Sequence, residues 1–180
     1  MKPVLLTALP VLALLGACSP APAASPTSQV VPTTTQAPTT TTPAGPPPAP
    51  VPAGEGKCPY LDSSVVAQYN GQLVRRVEIS DDRPTPACFF YADATNVQLS
   101  VWVFQGTPAI AKAVVDRAAP IATSSPATSP TGWNGGSLTT EEGAVYAVAK
   151  EGSAVVVTTN QKQTVKAKRL VEAVVGNLGL

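Results

Sequence analysis

Residues 97–104 have the sequence VQLSVWVF, whose side chains alternate with the two-residue period of a β-strand. The odd-numbered positions all carry branched aliphatic side chains, namely Val97, Leu99, Val101 and Val103. Two aromatic side chains, Trp102 and Phe104, occupy the opposite face of the same strand. We expect the aliphatic face to pack against helices, which leaves Trp102 and Phe104 on the other face of the sheet.

A second strand is apolar on both faces. Residues 154–157 have the sequence AVVV, a pattern typical of a central strand that is covered on both sides. Shorter segments that alternate or are bounded by turn residues predict further strands over residues 73–79, 88–91, 137–141 and 144–149.

Three amphipathic helices are predicted, over residues 61–69, 108–118 and 167–178. The first is expected to be capped by Asp62 or to begin at Pro59, and the second has a capping residue, Thr107, followed by Pro108. The predicted order is therefore α-βββ-α-βββ-α. This order indicates an α+β fold, in which an antiparallel sheet of about six strands has its helices packed mainly on one face.

The first 17 residues are typical of a signal peptide. Lys2 precedes a short apolar run, which is interrupted by Pro10 and is too short to span a bilayer. The residues Leu-Gly-Ala-Cys at positions 15–18 resemble the bacterial lipobox, which implies that Cys18 becomes the mature N-terminus and carries a lipid such as palmitate. We therefore expect an extracytoplasmic lipoprotein anchored to the outer face of the cell membrane.

Residues 18–56 are predicted to form a disordered tether. They consist almost entirely of Pro, Thr, Ala, Ser and Gly, with a single charged residue, Glu55, and no aromatic side chain. Such a segment buries too little apolar surface to offset the entropy lost on ordering, and its prolines favour an extended conformation. The single globular domain is accordingly expected over residues 57–180.

Two cysteines remain in the exported domain once Cys18 is assigned to the lipid. Cys58 and Cys88 are expected to form a disulfide, because an isolated pair in an oxidising compartment is usually oxidised. A redox role is the alternative, but the chain has no C-x-x-C motif and no histidine that could lower the pKa of a thiol.

The composition argues against several functional classes. With 12 basic and 11 acidic residues, the chain has a net charge of +1. Such a balance gives no long-range electrostatic attraction for nucleic acid. It contains no histidine and no nucleotide, zinc or nucleophile-elbow motif, so we expect neither a cofactor, a metal site nor enzymatic activity. The carboxylate pairs at residues 81–82 and 141–142 leave a hydrolase as a remote alternative.

Three aromatic residues are the candidates for binding a partner or ligand. Trp102 and Phe104 either form an exposed apolar patch on the sheet or are covered by a curled sheet edge or the long loop at residues 120–136, which contains Trp133. Both interpretations place Trp133 close to Trp102. The leading hypothesis is a binding domain for a protein, glycan or lipid of the cell envelope, and the alternative is a carrier with an apolar ligand between sheet and helices.

Three sequence blocks resemble a known family: CPYL at residues 58–61, ACFFY at residues 87–91 and VVVTTNQ at residues 155–161. Together with the lipobox and the tether, they are similar to actinobacterial envelope lipoproteins of the family called domain of unknown function 2020. The resemblance implies a high-GC Gram-positive host and the pairing of Cys58 with Cys88, and it implies no particular activity. The element order also resembles the α-β sandwich of PsbP-like lipoproteins.

Overall fold

The strand predicted at residues 97–104 lies at the centre of the sheet in the computed structural model, which describes residues 45–180. Within these residues, eight strands form one antiparallel sheet, and three helices pack against it. In chain order the elements are β1 (Gly54–Glu55), α1 (Ser63–Asn70), β2 (Arg76–Ile79), β3 (Cys88–Tyr91), β4 (Val97–Gln105), α2 (Pro108–Ala118), β5 (Ser125–Ala127), β6 (Asn134–Thr139), β7 (Ala144–Lys150), β8 (Ser153–Thr159) and α3 (Thr164–Leu178). The α+β class and the antiparallel sheet predicted from the sequence are confirmed.

The sheet consists of two sets of strands that meet at its centre. Its order is β1-β2-β3-β4-β8-β7-β6-β5, so the two halves join where β4 pairs with β8. In that pairing Val101 lies opposite Val157, and Trp102 lies opposite Val156. The side chains of Val101 and Val157 therefore share one face of the sheet, and those of Trp102 and Val156 share the other.

Two short edge strands account for the difference from the predicted order. The sequence predicted about six strands, whereas the structure adds β1 before α1 and β5 after α2. Both lie at the ends of the sheet and contain only two and three residues. Their sequences, Gly-Glu and Ser-Pro-Ala, have no apolar alternation, so they form by pairing with a neighbouring strand rather than from a pattern of their own.

Helices cover both faces of the sheet, which corrects the prediction that they pack mainly on one face. α1 and α3 lie on the face of Val101 and Val157, here called the inner face, and α2 lies on the face of Val156, here called the outer face. The side chains of residues 154–157 are at most 8% exposed, so this run needs apolar cover on both sides. Its interpretation as a central strand is confirmed.

The starts of α1 and α2 agree with their capping signals. The Asp62 carboxylate accepts a hydrogen bond from the backbone N–H of Ser64 at 2.9 Å and thereby caps α1. Thr107 caps α2, and Pro108 is the first helical residue. Gly71 caps the C-terminus of α1, and its φ of +80° favours glycine.

A disulfide joins Cys58 and Cys88, as the cysteine content predicted. The two residues are buried, and their Cα atoms are 5.6 Å apart. Nearby, the Tyr60 hydroxyl donates a hydrogen bond to the carbonyl of Pro86 at 3.0 Å. Burial raises the pKa of Tyr60 above its ordinary value, which keeps the hydroxyl protonated as a donor. The bridge and this hydrogen bond tie the chain entering α1 to the start of β3.

A buried polar cluster links α1 to the central strands and to α3. Asn70, Gln98 and Thr159 are each at most 2% exposed. The Asn70 amide donates to the side-chain carbonyl of Gln98 at 3.0 Å, and the Thr159 hydroxyl donates to that of Asn70. The Lys166 ammonium donates to the backbone carbonyl of Asn70 at 3.0 Å. Because the polar groups of this cluster are hydrogen-bonded to one another, the cluster has a structural role.

Pairing with the sheet begins before residue 57, the predicted first residue of the globular domain. The backbone N–H of Ala53 donates to the Ile79 carbonyl at 3.0 Å, and β1 then pairs with β2. Without β1, β2 would be an edge strand with unpaired backbone groups, so even a segment of Gly and Glu is stabilised there. The last residues of the predicted tether therefore belong to the domain.

The predicted signal peptide at residues 1–17, the lipidated Cys18 and the tether as far as residue 44 lie outside the described residues. In the part of the chain from residue 45 onward, no helix has both the length and the apolar character needed to cross a bilayer. The candidate site is accordingly built from residues 45–180.

Candidate functional site

Trp133, a predicted binding residue, lies in the core. Its side chain is 2% exposed and packs on the inner face in the cluster that includes Tyr146 and Val171. Hydrogen bonds fix the loop beside it, since the Tyr146 hydroxyl donates to the Ser129 carbonyl at 3.1 Å and the Ser129 hydroxyl donates to the Glu172 carboxylate at 2.6 Å. Trp133 is therefore not accessible to a partner in the folded domain.

Trp102 lies on the opposite face of the sheet from Trp133, so the prediction that the two are close together is wrong. Trp102 packs with outer-face residues such as Val156, whereas Trp133 belongs to the inner-face core. The chain crosses between the faces after α2, since Ala119 packs in the outer-face cluster and Ala127, in the edge strand β5, packs in the inner-face cluster. Trp133 directly precedes β6, in which Gly135 pairs with the inner-face residue Val148. This register is defined only by the structure, so the sequence carried no signal for the position of Trp133.

Four aromatic side chains lie on the outer face of β3 and β4. This aromatic patch consists of Phe89, Tyr91, Trp102 and Phe104. Phe89 and Tyr91 are buried, with exposures of 8% and 6%. Trp102 and Phe104 are half-buried, and their rings meet edge to face with centroids 6.3 Å apart. The accessible part of the patch is therefore at Trp102 and Phe104.

Two arginines lie over the patch. The Arg76 guanidinium is 4.0 Å from the centroid of Tyr91, and the Arg117 guanidinium, from α2, is 5.4 Å from the centroid of Trp102. Arg76 also forms an ion pair with Glu78, whose carboxylate accepts a hydrogen bond from the Tyr91 hydroxyl. Burial and this hydrogen bond raise the pKa of Tyr91. The charged side chains of Arg76 and Glu78 thus cover the Tyr91 side of the patch.

Two prolines near the end of the predicted tether lie beside the accessible aromatic pair. Pro47 and Pro48 line a pocket of about 170 Å³ together with Trp102 and Phe104. Arg117 connects the two sides, because its guanidinium lies over Trp102 and donates a hydrogen bond to the Pro47 carbonyl at 2.5 Å. The cover over this part of the patch comes from the tether rather than from the loop after α2.

A larger groove lies on the outer face between α2 and strands β5, β6 and β7. Its volume is about 390 Å³, and Val115, Ala119 and Ala149 contribute apolar surface to it. Lys112 and Asp116 form an ion pair that also borders the groove. The groove is open to solvent, so it differs from the enclosed cavity that the carrier hypothesis expects.

The carboxylate pairs of the hydrolase hypothesis lie in turns. Asp82 follows β2 and accepts a hydrogen bond from the Ser80 hydroxyl at 2.6 Å. Glu141 and Glu142 lie in the exposed turn between β6 and β7. Within residues 45–180, no three or more acidic or cysteine side chains are grouped so that they could hold a metal ion. The Asp82 carboxylate thus stabilises a turn, and those of Glu141 and Glu142 are solvated.

A family model described as Domain of unknown function (DUF2020) matches residues 41–180 of the chain. No curated protein matches the chain significantly. The matched region begins upstream of the prolines that lie beside Trp102 and extends to the last residue. The matched region of this chain therefore includes these prolines as well as the aromatic patch.

Proposed function

The chain belongs to the DUF2020 family, and we propose that it is a non-catalytic binding module anchored to the outer face of the cell membrane. The signal-peptide pattern at residues 1–17 and the lipobox-like residues before Cys18 support export and lipid attachment. The resemblance to actinobacterial envelope lipoproteins supports the envelope of such a bacterium as the location. The partner is a protein, or a glycan or lipid component of the envelope.

The observation that carries the proposal is the partly exposed pair Trp102 and Phe104 beside Arg117. Tryptophan, tyrosine and arginine contribute most of the binding energy at many protein interfaces, and phenylalanine is also enriched there. Here the guanidinium lies over the indole ring, which holds both side chains in place before a partner arrives. A charged donor and aromatic surface are therefore available together on one part of the sheet.

Two further observations favour binding over catalysis. The chain has no histidine, the side chain most often used as a general acid or base near neutral pH. The carboxylates of residues 141–142 lie in an exposed turn between β6 and β7. Asp82 lines the pocket beside Trp102, but it lies in a turn and its carboxylate accepts a hydrogen bond from Ser80. Trp133 is left out of the proposed surface because it is buried on the other face.

We expect a photoreactive residue at position 104 to form covalent adducts with an envelope partner in living cells. p-Benzoylphenylalanine in place of Phe104 keeps an aromatic group at the proposed surface. The control position is Leu73, which is 68% exposed and lies outside the patch. Adducts are detected by immunoblotting and identified by mass spectrometry.

Trp102→Ala should reduce the yield of these adducts about tenfold or more, because loss of a central aromatic side chain typically costs about 2 kcal/mol of binding free energy. An undiminished yield in this variant, or an equal yield of the same adducts from position 73, would show that the partner binds elsewhere.

Cys18→Ala should move the protein from the membrane fraction into the soluble extracytoplasmic fraction. The proposed lipid is attached to this cysteine, and more than one acyl chain is needed for stable anchoring. Fractionation followed by immunoblotting measures the change, and labelling with an alkyne analogue of palmitate measures acylation. Ser19→Ala, at the neighbouring position, is the matched control and should stay in the membrane fraction. Tight membrane association of the Cys18 variant would contradict the anchor.

A further inference from the structure

The surface at Trp102 already lies against a polypeptide segment of defined chemistry. Residues 46–50 have the sequence PPPAP and are here called the proline segment. Successive prolines hold φ at about −65° and favour the extended polyproline II conformation. This conformation has no internal hydrogen bonds, so its carbonyl groups are free to accept from a neighbour. The Pro47 carbonyl accepts from Arg117 in this way.

The surface has the features that proteins use to bind proline-rich segments. Such sites combine aromatic side chains that contact the proline rings with donors to the peptide backbone. Trp102 and Phe104 supply the aromatic side chains, and Arg117 supplies a donor 2.5 Å from a backbone carbonyl. The turn at residues 82–85 lines the rest of the pocket. An extended proline-rich chain therefore matches this surface in shape and in hydrogen bonding.

The proline segment is held less firmly than the strand that follows it. Within residues 46–52, the structure shows a single hydrogen bond, the one that the Pro47 carbonyl accepts from Arg117. Pairing with the sheet begins at Ala53. None of the five residues of the segment is buried. The segment can therefore leave the surface without exposing the core or breaking the pairing of β1 with β2.

We propose that the surface formed by Trp102, Phe104 and Arg117 binds an extended proline-rich segment of another polypeptide, and that the proline segment of this chain competes for the same place. This inference rests on the proposed binding function and names the chemical class of its partner. A tethered segment has an effective concentration on the order of millimolar, so an incoming segment must bind more tightly or be locally abundant. Occupancy by the chain itself covers the apolar surface in the absence of a partner.

The test uses the full chain in detergent, labelled with 5-fluorotryptophan, and a synthetic peptide with the sequence of residues 44–52. The chain has two tryptophans. Fluorine NMR therefore gives one signal from Trp102 at the surface and one from Trp133 in the core, which serves as an internal control. A variant carrying glycine at positions 46, 47 and 48 weakens docking of its own segment and leaves β1 unchanged. The control peptide has glycine in place of the same three prolines.

We expect the triple-glycine variant to shift the Trp102 signal and to leave the Trp133 signal unchanged. The proline peptide should return the Trp102 signal to its wild-type position, and the glycine peptide should not. Wild-type protein should require about tenfold more peptide for half-saturation, because its own segment competes. Arg117→Met should weaken peptide binding about tenfold or more, since it removes a charged donor, whereas Lys112→Met on the same helix should have no effect.

Three results would overturn the inference. An unchanged Trp102 signal in the triple-glycine variant would show that the proline segment does not occupy the surface. A shifted signal that the peptide fails to restore would show that the segment is a fixed part of the domain, while cross-linking at position 104 would still decide the proposed function separately. A dimer seen by analytical ultracentrifugation and lost in the triple-glycine variant would assign the surface to a second copy of this chain.

Discussion

Trp133→Ala lowers the free energy of unfolding by about 3–5 kcal/mol, among the largest losses expected from one side chain in this domain. The indole is 2% exposed and packs between the sheet and the inner-face helices. Its neighbour Tyr146 is held by a hydrogen bond to Ser129, which limits how far the surroundings can collapse into the space left behind. The loss therefore combines missing apolar burial with a residual cavity.

Urea denaturation followed by circular dichroism measures this change. Trp102→Ala is the matched control, because the same substitution is made at a half-buried position on the opposite face. We expect the control to lose less than about 2 kcal/mol. Equal losses in the two variants would contradict the assignment of Trp133 to the core and Trp102 to the surface.

Replacing both Cys58 and Cys88 with alanine is expected to lower the free energy of unfolding by about 3–4 kcal/mol. The cysteines are 30 residues apart, and their cross-link restricts the unfolded chain over this loop. The loop contains α1 and β2, so the bridge holds one half of the sheet to the first helix. Because small domains have only about 5–15 kcal/mol of net stability, this is a large part of the total.

Thermal unfolding with and without a reducing agent measures the contribution of the bridge. Reduction should lower the Tm of the wild-type protein by roughly 10–20 °C, which corresponds to the expected free energy in a domain of this size. The double-alanine variant serves as the control, since its Tm should not respond to the reductant. A similar response in both proteins would show that the effect does not come from the bridge.

The central elements of the fold could be predicted because their local sequence matches their surroundings. Residues 99–104 alternate because β4 has an aliphatic inner face there, whereas Val97 is 38% exposed and Gln98 is buried against α1. Residues 154–157 are uniformly apolar because β8 is covered on both sides. Thr107 and Pro108 begin α2 because a capping hydroxyl and a fixed φ suit a helix N-terminus wherever the helix lies.

The sheet edges and the cover of each face could not be predicted in the same way. β1 and β5 have no periodicity and exist because a neighbouring strand offers backbone groups to pair with. Uniformly apolar residues in β8 indicated that both faces are covered, but not that α2 alone would supply the helical cover on the outer face. For the candidate site, sequence identified Trp102 and Phe104 but missed Arg117 and the role of Pro47.

By itself, the sequence determined which segments become the main strands and helices, which cysteines pair, and that Trp102 lies on the opposite face from Val101. These properties depend on residue type and on a two-residue period, which are local. Only the tertiary structure decided that Trp133 joins the inner core and that the tether covers Trp102. The hydrogen bond from Arg117 to Pro47 spans 70 positions of the chain. Local periodicity carries no information about such distant pairs, so the segment that occupies the aromatic surface is defined only by the fold.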